Sequence, residues 1–376
     1  MRVFLIGLGG AGCRIAHEFF KSGKNNISGV LIDTDLADLG FLKHKYRISA
    51  AEGVLGGESA MKDLEIGVDA LQADRYHIIE KITDVKGEVD CFFLISALGG
   101  GTGGAAGVIL EELKKSFIEP IYYVGLLPST EDLPTVTVNA VKGLRESIRH
   151  CDAFFPVNMD TLKTTTRLKG NLSSLNRQIF RYFNRIFQIG EVKGKGDVGE
   201  NAVDFQDFVQ SLKGLSVVGL KVRNFKEDPN MDKPEAVLAL TQQAVKKTTL
   251  SVDPAHVNRA LVVVLGDKGE MDFLGSIPAR LWTERYIHGK AVRGGDIPLS
   301  KSGDVEVLVI FSEVKKSEEI AALYQKVSVL GKSTALVGNI SEIMENIVSI
   351  KGKISELEGD VDATYNKLKK SIEKPE

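Results

Sequence analysis

Short apolar runs alternate with helical patterns through residues 1 to 160. The runs VFLIG, GVLIDTD, DCFFLISAL, EPIYYVGLL and DAFFPV are almost continuously hydrophobic. Strands of this kind are buried on both faces, as in a parallel sheet covered by helices on both sides. The pattern therefore predicts an α/β domain that binds its ligands at the carboxyl ends of the strands.

A long helix and a second set of strands follow. Residues 172 to 188 carry one apolar stripe at helical spacing, which predicts a buried central helix between two domains: Leu172, Leu175, Ile179, Phe183, Ile186 and Phe187. The runs SLKGLSVVGLKVR, RALVVVLGD, GKAVRGGD and VEVLVIFSEV predict a second, smaller α/β domain. The predicted segments are 1–170, the first domain; 171–190, the central helix; 191–213, a loop and the helix after it; 214–330, the second domain; and 331–376, a helical tail.

The tail has a heptad period over residues 340–371. Its apolar positions fall seven residues apart, with a second set three residues after the first: Ile340, Ile347, Ile354, Val361 and Leu368, then Ile343, Ile350 and Leu357. Two interpretations stay open. Either the helix packs on the second domain, or its apolar seam binds a partner or a second copy of the chain.

Charge and composition indicate which partners and which cellular compartment to expect. The 48 basic and 50 acidic residues nearly cancel, which argues against nucleic acid as a partner. Because the first residues carry one Arg and then a glycine-rich turn, and no run of about 18 residues is apolar, we expect neither a signal peptide nor direct membrane insertion. The 3 cysteines lack C-x-x-C spacing and the 6 histidines lack metal-ligand spacing, which favours a cytoplasmic protein with reduced thiols and no metal site built from protein ligands alone.

The stretch FLIGLGGAGCR, residues 4–14, admits two interpretations. Its glycines fit the G-x-G-x-x-G dinucleotide fingerprint, and Asp33 follows the last of them by 21 residues, so one interpretation is an NAD-dependent dehydrogenase. A second glycine-rich stretch, residues 99–104, opens a helix directly after the strand CFFLISA, and its Thr102 adds a hydroxyl. Two such loops on one sheet edge can hold a longer polyphosphate with their backbone amides, which a dehydrogenase does not need.

With both loops considered, the sequence resembles the tubulin and FtsZ superfamily of polymerising GTPases and is most similar to its archaeal CetZ-like members. The family signature is G-G-G-T-G-[ST]-G, which GGGTGGA at residues 99–105 largely matches. The resemblance implies a Rossmann-like GTP-binding domain that takes GTP or GDP, with Mg²⁺ held through the nucleotide. It implies nucleotide binding by Gly9, Gly10, Ala11, Gly12, Cys13, Asp33, Thr34, Gly56, Gly57, Gly99, Gly100, Gly101, Thr102, Gly103, Gly104, Pro128, Asp132, Asn139, Asn158, Asp160 and Asn176. Within this set the resemblance implies that the loop at residues 52–59 senses the terminal phosphate, that Asp132 lies at the ribose, and that residues 157–160 and Asn176 read the guanine base.

The stretch GDVGENAVDFQDFVQSLKG, residues 196–214, resembles the loop that one subunit of this family inserts against the nucleotide of the next. Asp204 and Asp207 fill its acidic positions, and a carboxylate can polarise the attacking water while Mg²⁺ offsets phosphate charge. The resemblance thus implies a head-to-tail homopolymer in which hydrolysis depends on assembly. The alternative from the residues alone is that both acids only stabilise the N-terminus of the helix that follows.

Several positions depart from the family pattern. Gly104 replaces Ser or Thr, and Ala105 replaces a glycine, which strains the backbone if that position requires positive φ. Leu172 occupies a position where an aromatic residue commonly stacks on the base. Two alternative functions therefore stay open: a nucleotide-dependent scaffold with little hydrolysis and, more remotely, the dehydrogenase.

Overall fold

The computed structural model describes residues 1–166, 171–190, 203–224, 233–267, 276–299 and 304–330. The heptad tail and residues 191–202 of the predicted catalytic loop lie outside the described residues.

The first domain is built on one parallel sheet. Its strands are β1 (Val3–Leu8), β2 (Ile27–Asp33), β3 (Arg47–Ser49), β4 (Cys91–Ala97), β5 (Ile121–Leu127), β6 (Ala153–Asn158) and β7 (Gly214–Leu215), in the spatial order β3-β2-β1-β4-β5-β6-β7. The strand order reverses between β1 and β4. A crevice for a ligand is expected at the carboxyl ends of the two strands that flank such a reversal.

Helices cover both faces of this sheet. They are α1 (Gly9–Lys21), α2 (Leu36–Phe41), α3 (Glu52–Leu55), α4 (Leu64–Lys86), α5 (Gly101–Gly104), α6 (Ala106–Ser116), α7 (Pro134–Ser147) and α8 (Met159–Thr166), with a short 3₁₀ helix at Ile148–His150. Alternate residues of β1 enter opposite layers: Phe4 packs with the α4, α6 and α7 side, and Leu5 with the α1 side. This two-sided burial confirms the prediction from the continuous apolar runs.

The central helix and the second domain follow. Their elements are α9 (Leu172–Ile186), α10 (Phe205–Ser211), β8 (Val217–Asn224), α11 (Lys233–Val245), β9 (Arg259–Asp267), α12 (Ser276–Tyr286), β10 (Ala291–Leu299), β11 (Asp304–Ser312) and α13 (Glu318–Leu330), with a 3₁₀ helix at Pro254–His256. The four-stranded sheet has the order β10-β9-β11-β8, in which only β9 and β10 are parallel.

Helix α9 lies between the two sheets. Its Ile179 and Phe183 are fully buried in the layer that also contains Phe93 of β4 and Val263 of β9. Arg185 near its end forms an ion pair with Glu306 of β11, with Nε at 2.6 Å from Oε2. The helix therefore joins the domains as the apolar stripe predicts.

Within the described residues, no helix combines the length and the hydrophobicity that crossing a bilayer requires.

Candidate functional site

The two glycine-rich segments meet at the carboxyl ends of β1 and β4. A Cβ atom on Gly9 would lie 2.8 Å from the backbone nitrogen of Gly103. A Cβ atom on Gly12 would lie 2.1 Å from the carbonyl oxygen of Ile95. Because both neighbours are backbone atoms, only glycine lets the start of α1 approach β4 and the second loop this closely.

No side chain of α1 occupies the backbone amides at the start of this helix. Gly9 opens α1 with φ at +69°, and the first turn of α1 has neither a capping side chain nor an acidic residue. Residues 10–12, predicted to bind nucleotide, lie in that turn as Gly10, Ala11 and Gly12. The N-terminus of a 13-residue helix carries partial positive charge, so the geometry suits an anion.

The second glycine-rich segment packs tightly on its surroundings, with one exception. Cβ atoms on Gly101, Gly103 and Gly104 would lie within 2.6 to 2.7 Å of backbone oxygens, and one on Gly99 would lie 2.3 Å from Val136 Cγ1. At Gly100, by contrast, the nearest such atom is 3.7 Å away. Ala105 has φ at −82°, so the alanine in place of the family's glycine is not strained there.

Two buried threonines join the loops. The hydroxyl of Thr34, just after β2, lies 3.0 Å from the hydroxyl of Thr102 and also accepts a hydrogen bond from the amide of Ala60 at 3.2 Å. Three chain segments that follow β2, β3 and β4 therefore meet at one polar contact. The structure uses Thr102 to join these segments, in addition to the predicted nucleotide contact.

Asp33 is a buried acid beside the start of α1. Asp33 is 4% exposed, and this burial raises the pKa of its carboxyl to about 6. The hydrogen bonds from the amides of Thr34 and Asp35 lower the pKa, but by less than burial raises it. A Cβ atom on Gly10 would lie 3.7 Å from its Oδ2. A ligand that donates hydrogen bonds to this carboxylate would relieve the cost of its charge.

Cys13 lies beneath this junction and not in it. Its thiol donates weak hydrogen bonds to the carbonyls of Gly7 at 3.2 Å and Ile32 at 3.4 Å. Burial raises the pKa of the thiol well above its usual range. The cysteine contributes packing under the loop. All three cysteines of the chain are free thiols.

The loop between β3 and α4 folds back over the site and is strained. Its residues Ala51, Met61 and Lys62 have positive φ, a conformation costly for residues other than glycine. The predicted residues Gly56 and Gly57 end α3, and the Gly57 carbonyl accepts a hydrogen bond at 2.9 Å from the amide that begins α2. Strain of this kind is common at ligand sites, and the contact of this loop to the terminal phosphate stays a prediction.

Asn139 forms hydrogen bonds with both the strained loop and the second glycine-rich segment. Its side-chain amide donates to the carbonyl of Lys62 at 2.7 Å and to that of Gly99 at 3.3 Å. The residue lies on α7, so this helix fixes the distance between the strained loop and the glycine-rich segment.

The predicted ribose region is a loop closed by two acids. Pro128 follows β5 directly, and Asp132 accepts a hydrogen bond from the amide of Ser129 at 2.8 Å. Asp160 accepts one from the amide of Thr130 at 2.7 Å and another from the Ser129 hydroxyl. Burial raises the pKa of Asp160, but these hydrogen bonds outweigh that effect and hold it below its ordinary value. Both acids thus order the loop in this structure.

Asn158 connects the first domain to the second. Its Oδ1 accepts from the amides of Asp160 at 2.9 Å and Thr161 at 3.2 Å, and its amide group donates to Glu319 of α13. Glu319 also accepts from the hydroxyl of Thr161 and from the amide of Ser251 at 2.9 Å. The predicted base-reading amide is therefore held by the second domain.

Asn176 lies near the start of α9, half-buried, on the same side of the sheet as α1. Phe19 and Phe180, on α1 and α9, have ring centroids 4.8 Å apart, so the two helices pack together. The chain after α9 ends beside the start of β1, where the Ile189 carbonyl accepts a hydrogen bond from Met1, so α9 begins toward the carboxyl edge. Asn176 therefore lies toward the edge that holds the glycine-rich loops. Leu172, one turn earlier, is 67% exposed and leaves an apolar surface there.

The two predicted catalytic acids lie at the opposite edge. Helix α9 ends beside the start of β1, because the terminal ammonium of Met1 donates to the carbonyl of Ile189 at 2.8 Å. The segment after α10 reaches the start of β6, where the amide of Gly214 donates to the carbonyl of Asp152 at 2.9 Å. The 15 residues of α9 span about 22 Å, which is the approximate separation of the two edges.

At this edge the two acids have different partners. Asp204 caps α10, since its Oδ1 accepts a hydrogen bond from the amide of Asp207 at 2.7 Å, as the capping interpretation expects. Asp207 is one-third exposed, and its Oδ1 lies 2.6 Å from Nη1 of Arg293 on β10. Sequence reasoning missed Arg293, and it missed Glu319, because no motif pairs residues that are 86 and 161 positions apart.

Among the described residues, no group of three or more His, Cys, Asp or Glu side chains is arranged to hold a metal ion.

Comparisons with known proteins identify both halves of the chain. Residues 2–166 match the Tubulin/FtsZ family, GTPase domain, and residues 166–328 match the Tubulin-like CetZ, C-terminal domain. Tubulin-like protein CetZ4 of Haloferax volcanii is 28% identical over 359 residues, covering 86% of this chain and 91% of the relative.

Solved structures agree. CetZ1 from Haloferax volcanii, a GDP bound monomer, is 26% identical with a TM-score of 0.77, over 88% of this chain and 99% of the other. CetZ2 from the same organism, a GTPgS bound protofilament, is 26% identical with a TM-score of 0.76, over 88% and 98%. These matches favour the GTPase interpretation of residues 4–14 over the dehydrogenase interpretation.

Proposed function

This chain belongs to the tubulin/FtsZ family, with a GTPase domain followed by a CetZ-type C-terminal domain, and we propose that it polymerises head to tail and hydrolyses GTP between subunits. GTP or GDP, with Mg²⁺ on its phosphates, occupies the carboxyl edge of the parallel sheet. The acids of α10 in one subunit complete this site in the next.

The separation of the acids from the loops carries this proposal. Asp207 lies at the amino edge of the sheet, about 20 Å from the glycine-rich loops, since a strand of six or seven residues has that length. A carboxylate on a packed helix cannot cross this distance within its own chain. A neighbour stacked edge to edge brings the two surfaces together, and such a heterologous contact repeats as a filament.

Exposed apolar side chains support the same contact. Val54, Met61, Leu133 and Leu172 are 65% to 79% exposed, and all four lie in segments that follow strand ends at the carboxyl edge. Side chains of this kind lose their contact with water when a partner covers this edge. The similar CetZ2 was solved as a protofilament, which supports self-association of this chain.

In the proposed reaction, the backbone amides of α1 and of residues 99–104 hold the phosphates. A Mg²⁺ ion bound through the nucleotide would supply positive charge that offsets the charge developing on them. Asp207 of the neighbouring subunit orients the attacking water. Asp204 caps the helix that carries Asp207. A variant of Asp204 tests whether this residue also has a catalytic part.

The test is phosphate release from GTP with Mg²⁺ across a range of protein concentrations, with light scattering recorded in parallel. We expect the specific rate to rise steeply at the concentration where scattering begins. Scattering without phosphate release would instead indicate a scaffold, and a rate independent of concentration would refute completion of the site by a neighbour.

A pair of conservative variants assigns the acids. Asp207→Asn keeps the size of the side chain, and we expect assembly with loss of most hydrolysis. Asp204→Asn keeps the helix cap, because asparagine caps a helix about as well as aspartate, so loss of hydrolysis in this variant would assign Asp204 a catalytic part beside Asp207. Wild-type turnover by Asp207→Asn filaments would remove this residue from the catalytic role.

A further inference from the structure

The acid proposed to act on the neighbour's nucleotide has a cationic partner in its own subunit. Nη1 of Arg293 lies 2.6 Å from Oδ1 of Asp207, and the two side chains are 47% and 33% exposed. Arg293 belongs to β10, an edge strand of the second domain's sheet. The pair therefore lies at a surface that a neighbouring subunit can reach.

The docking of α10 does not depend on this pair. Phe208 is fully buried and packs edge-on against Tyr122, with ring centroids 5.4 Å apart. At the end of the helix, Arg259 donates from Nη1 to the carbonyl of Gln210 at 3.0 Å, and from Nε to Glu313 at 2.8 Å. Arg259 thus holds the backbone of the helix, whereas Arg293 contacts the Asp207 carboxylate.

We propose that Arg293 is a positioning residue for hydrolysis: it holds the Asp207 carboxylate in one orientation and offsets its charge as it meets the next subunit's nucleotide. The inference rests on the proposed function. A charge-assisted hydrogen bond favours one orientation of the Asp207 side chain, and misplacing a reacting group by about 1 Å can lower a rate by about a hundredfold. A nearby cation also reduces the repulsion between a carboxylate and a triphosphate.

The test compares full-length variants at Arg293 with a matched control. Arg293→Ala removes the contact, and Arg293→Lys keeps the charge. Arg259→Ala is the control: it removes an arginine that contacts the end of the same helix and not Asp207, while the buried Phe208 keeps the helix docked. Phosphate release is measured against GTP concentration and divided by the amount of sedimented protein, which separates kcat from KM and from the extent of assembly. The affinity of unassembled protein for GDP is measured by titration.

For Arg293→Ala we expect kcat per sedimented subunit to fall at least about tenfold, with KM and GDP affinity unchanged, because the nucleotide loops lie at the other edge. Arg293→Lys should recover most of that loss, and Arg259→Ala should keep kcat. If Arg293→Ala does not assemble, Arg293→Gln, which is longer and polar, replaces it. Wild-type kcat for the uncharged variant, or an equal loss in Arg259→Ala, would overturn the proposal.

Measuring Asp207→Asn in the same assay distinguishes failure of the Arg293 role from failure of the Asp207 role. If it is inactive while Arg293→Ala keeps wild-type kcat, only the role of Arg293 is rejected. If Asp207→Asn itself hydrolyses GTP at the wild-type rate, the assignment of the acid fails and the role of Arg293 fails with it.

Discussion

Replacing Asp33 with asparagine should remove a pH-dependent cost from the folded protein. The carboxyl is buried and its pKa is raised to about 6 from the ordinary 3.8. Asparagine cannot ionise, but its side-chain oxygen can still accept the 2.9 Å hydrogen bond from the amide of Thr34. The two proteins therefore differ mainly in the charge at this position.

The sign follows from the direction of the pKa change. The folded protein binds the Asp33 proton more tightly than the unfolded chain, so raising the pH through this range disfavours the folded wild type. A pKa of about 6 instead of 3.8 corresponds to a total of about 3 kcal/mol, of which about half develops between pH 5 and pH 7.5. Above about pH 7 the cost is constant.

The assay is urea unfolding of nucleotide-free wild type and Asp33→Asn at several pH values, with the difference in unfolding free energy plotted against pH. We expect wild type to lose stability relative to the variant as pH rises from about 4 to 7. Saturating GDP should reduce this slope if the nucleotide donates hydrogen bonds to the carboxylate. A difference that is flat across the whole range would refute the reasoning.

Two further changes test the packing around the site. Gly12→Ala should lower the melting temperature and weaken nucleotide binding, because overpacking against the β4 backbone costs about 1 to 3 kcal/mol. Gly100→Ala is the control, and since its Cβ atom would have 3.7 Å of clearance, it should melt like wild type. Equal melting temperatures for the two variants would contradict the close approach of α1 and β4. Glu319→Ala should lower the unfolding free energy by about 1 to 3 kcal/mol, since Asn158 and its neighbouring donors lose their acceptor. Unchanged stability in denaturant would show that this link between the domains is dispensable.

Much of the architecture could be predicted because its signals are local. Continuous apolar runs require burial on both faces, which determines a parallel sheet covered by helices. The stripe of residues 172–188 determines a central helix, and α9 lies between the two sheets as predicted. The two glycine-rich loops are equally local, because each glycine stands where a backbone approaches another backbone.

The individual roles of the polar site residues were harder to predict. The motifs place Asn158, Asp132 and Asp160 at strand ends, which is where they lie. Their side chains are nevertheless engaged in ordering loops and holding the second domain, through partners that no local pattern identifies. Their contacts to nucleotide, like those of the other predicted site residues, stay predictions.

By itself, the sequence determined the parallel sheet, the glycine-rich loops and the family. Only the tertiary structure decided that Asp33 is buried enough to raise its pKa, that Arg293 contacts Asp207, and that the acids proposed as catalytic lie at the edge opposite the glycine-rich loops. The physical reason is distance along the chain: secondary structure and glycine turns depend on neighbouring residues. Burial, ion pairing and the edge on which a helix lies arise instead when segments far apart in sequence pack together.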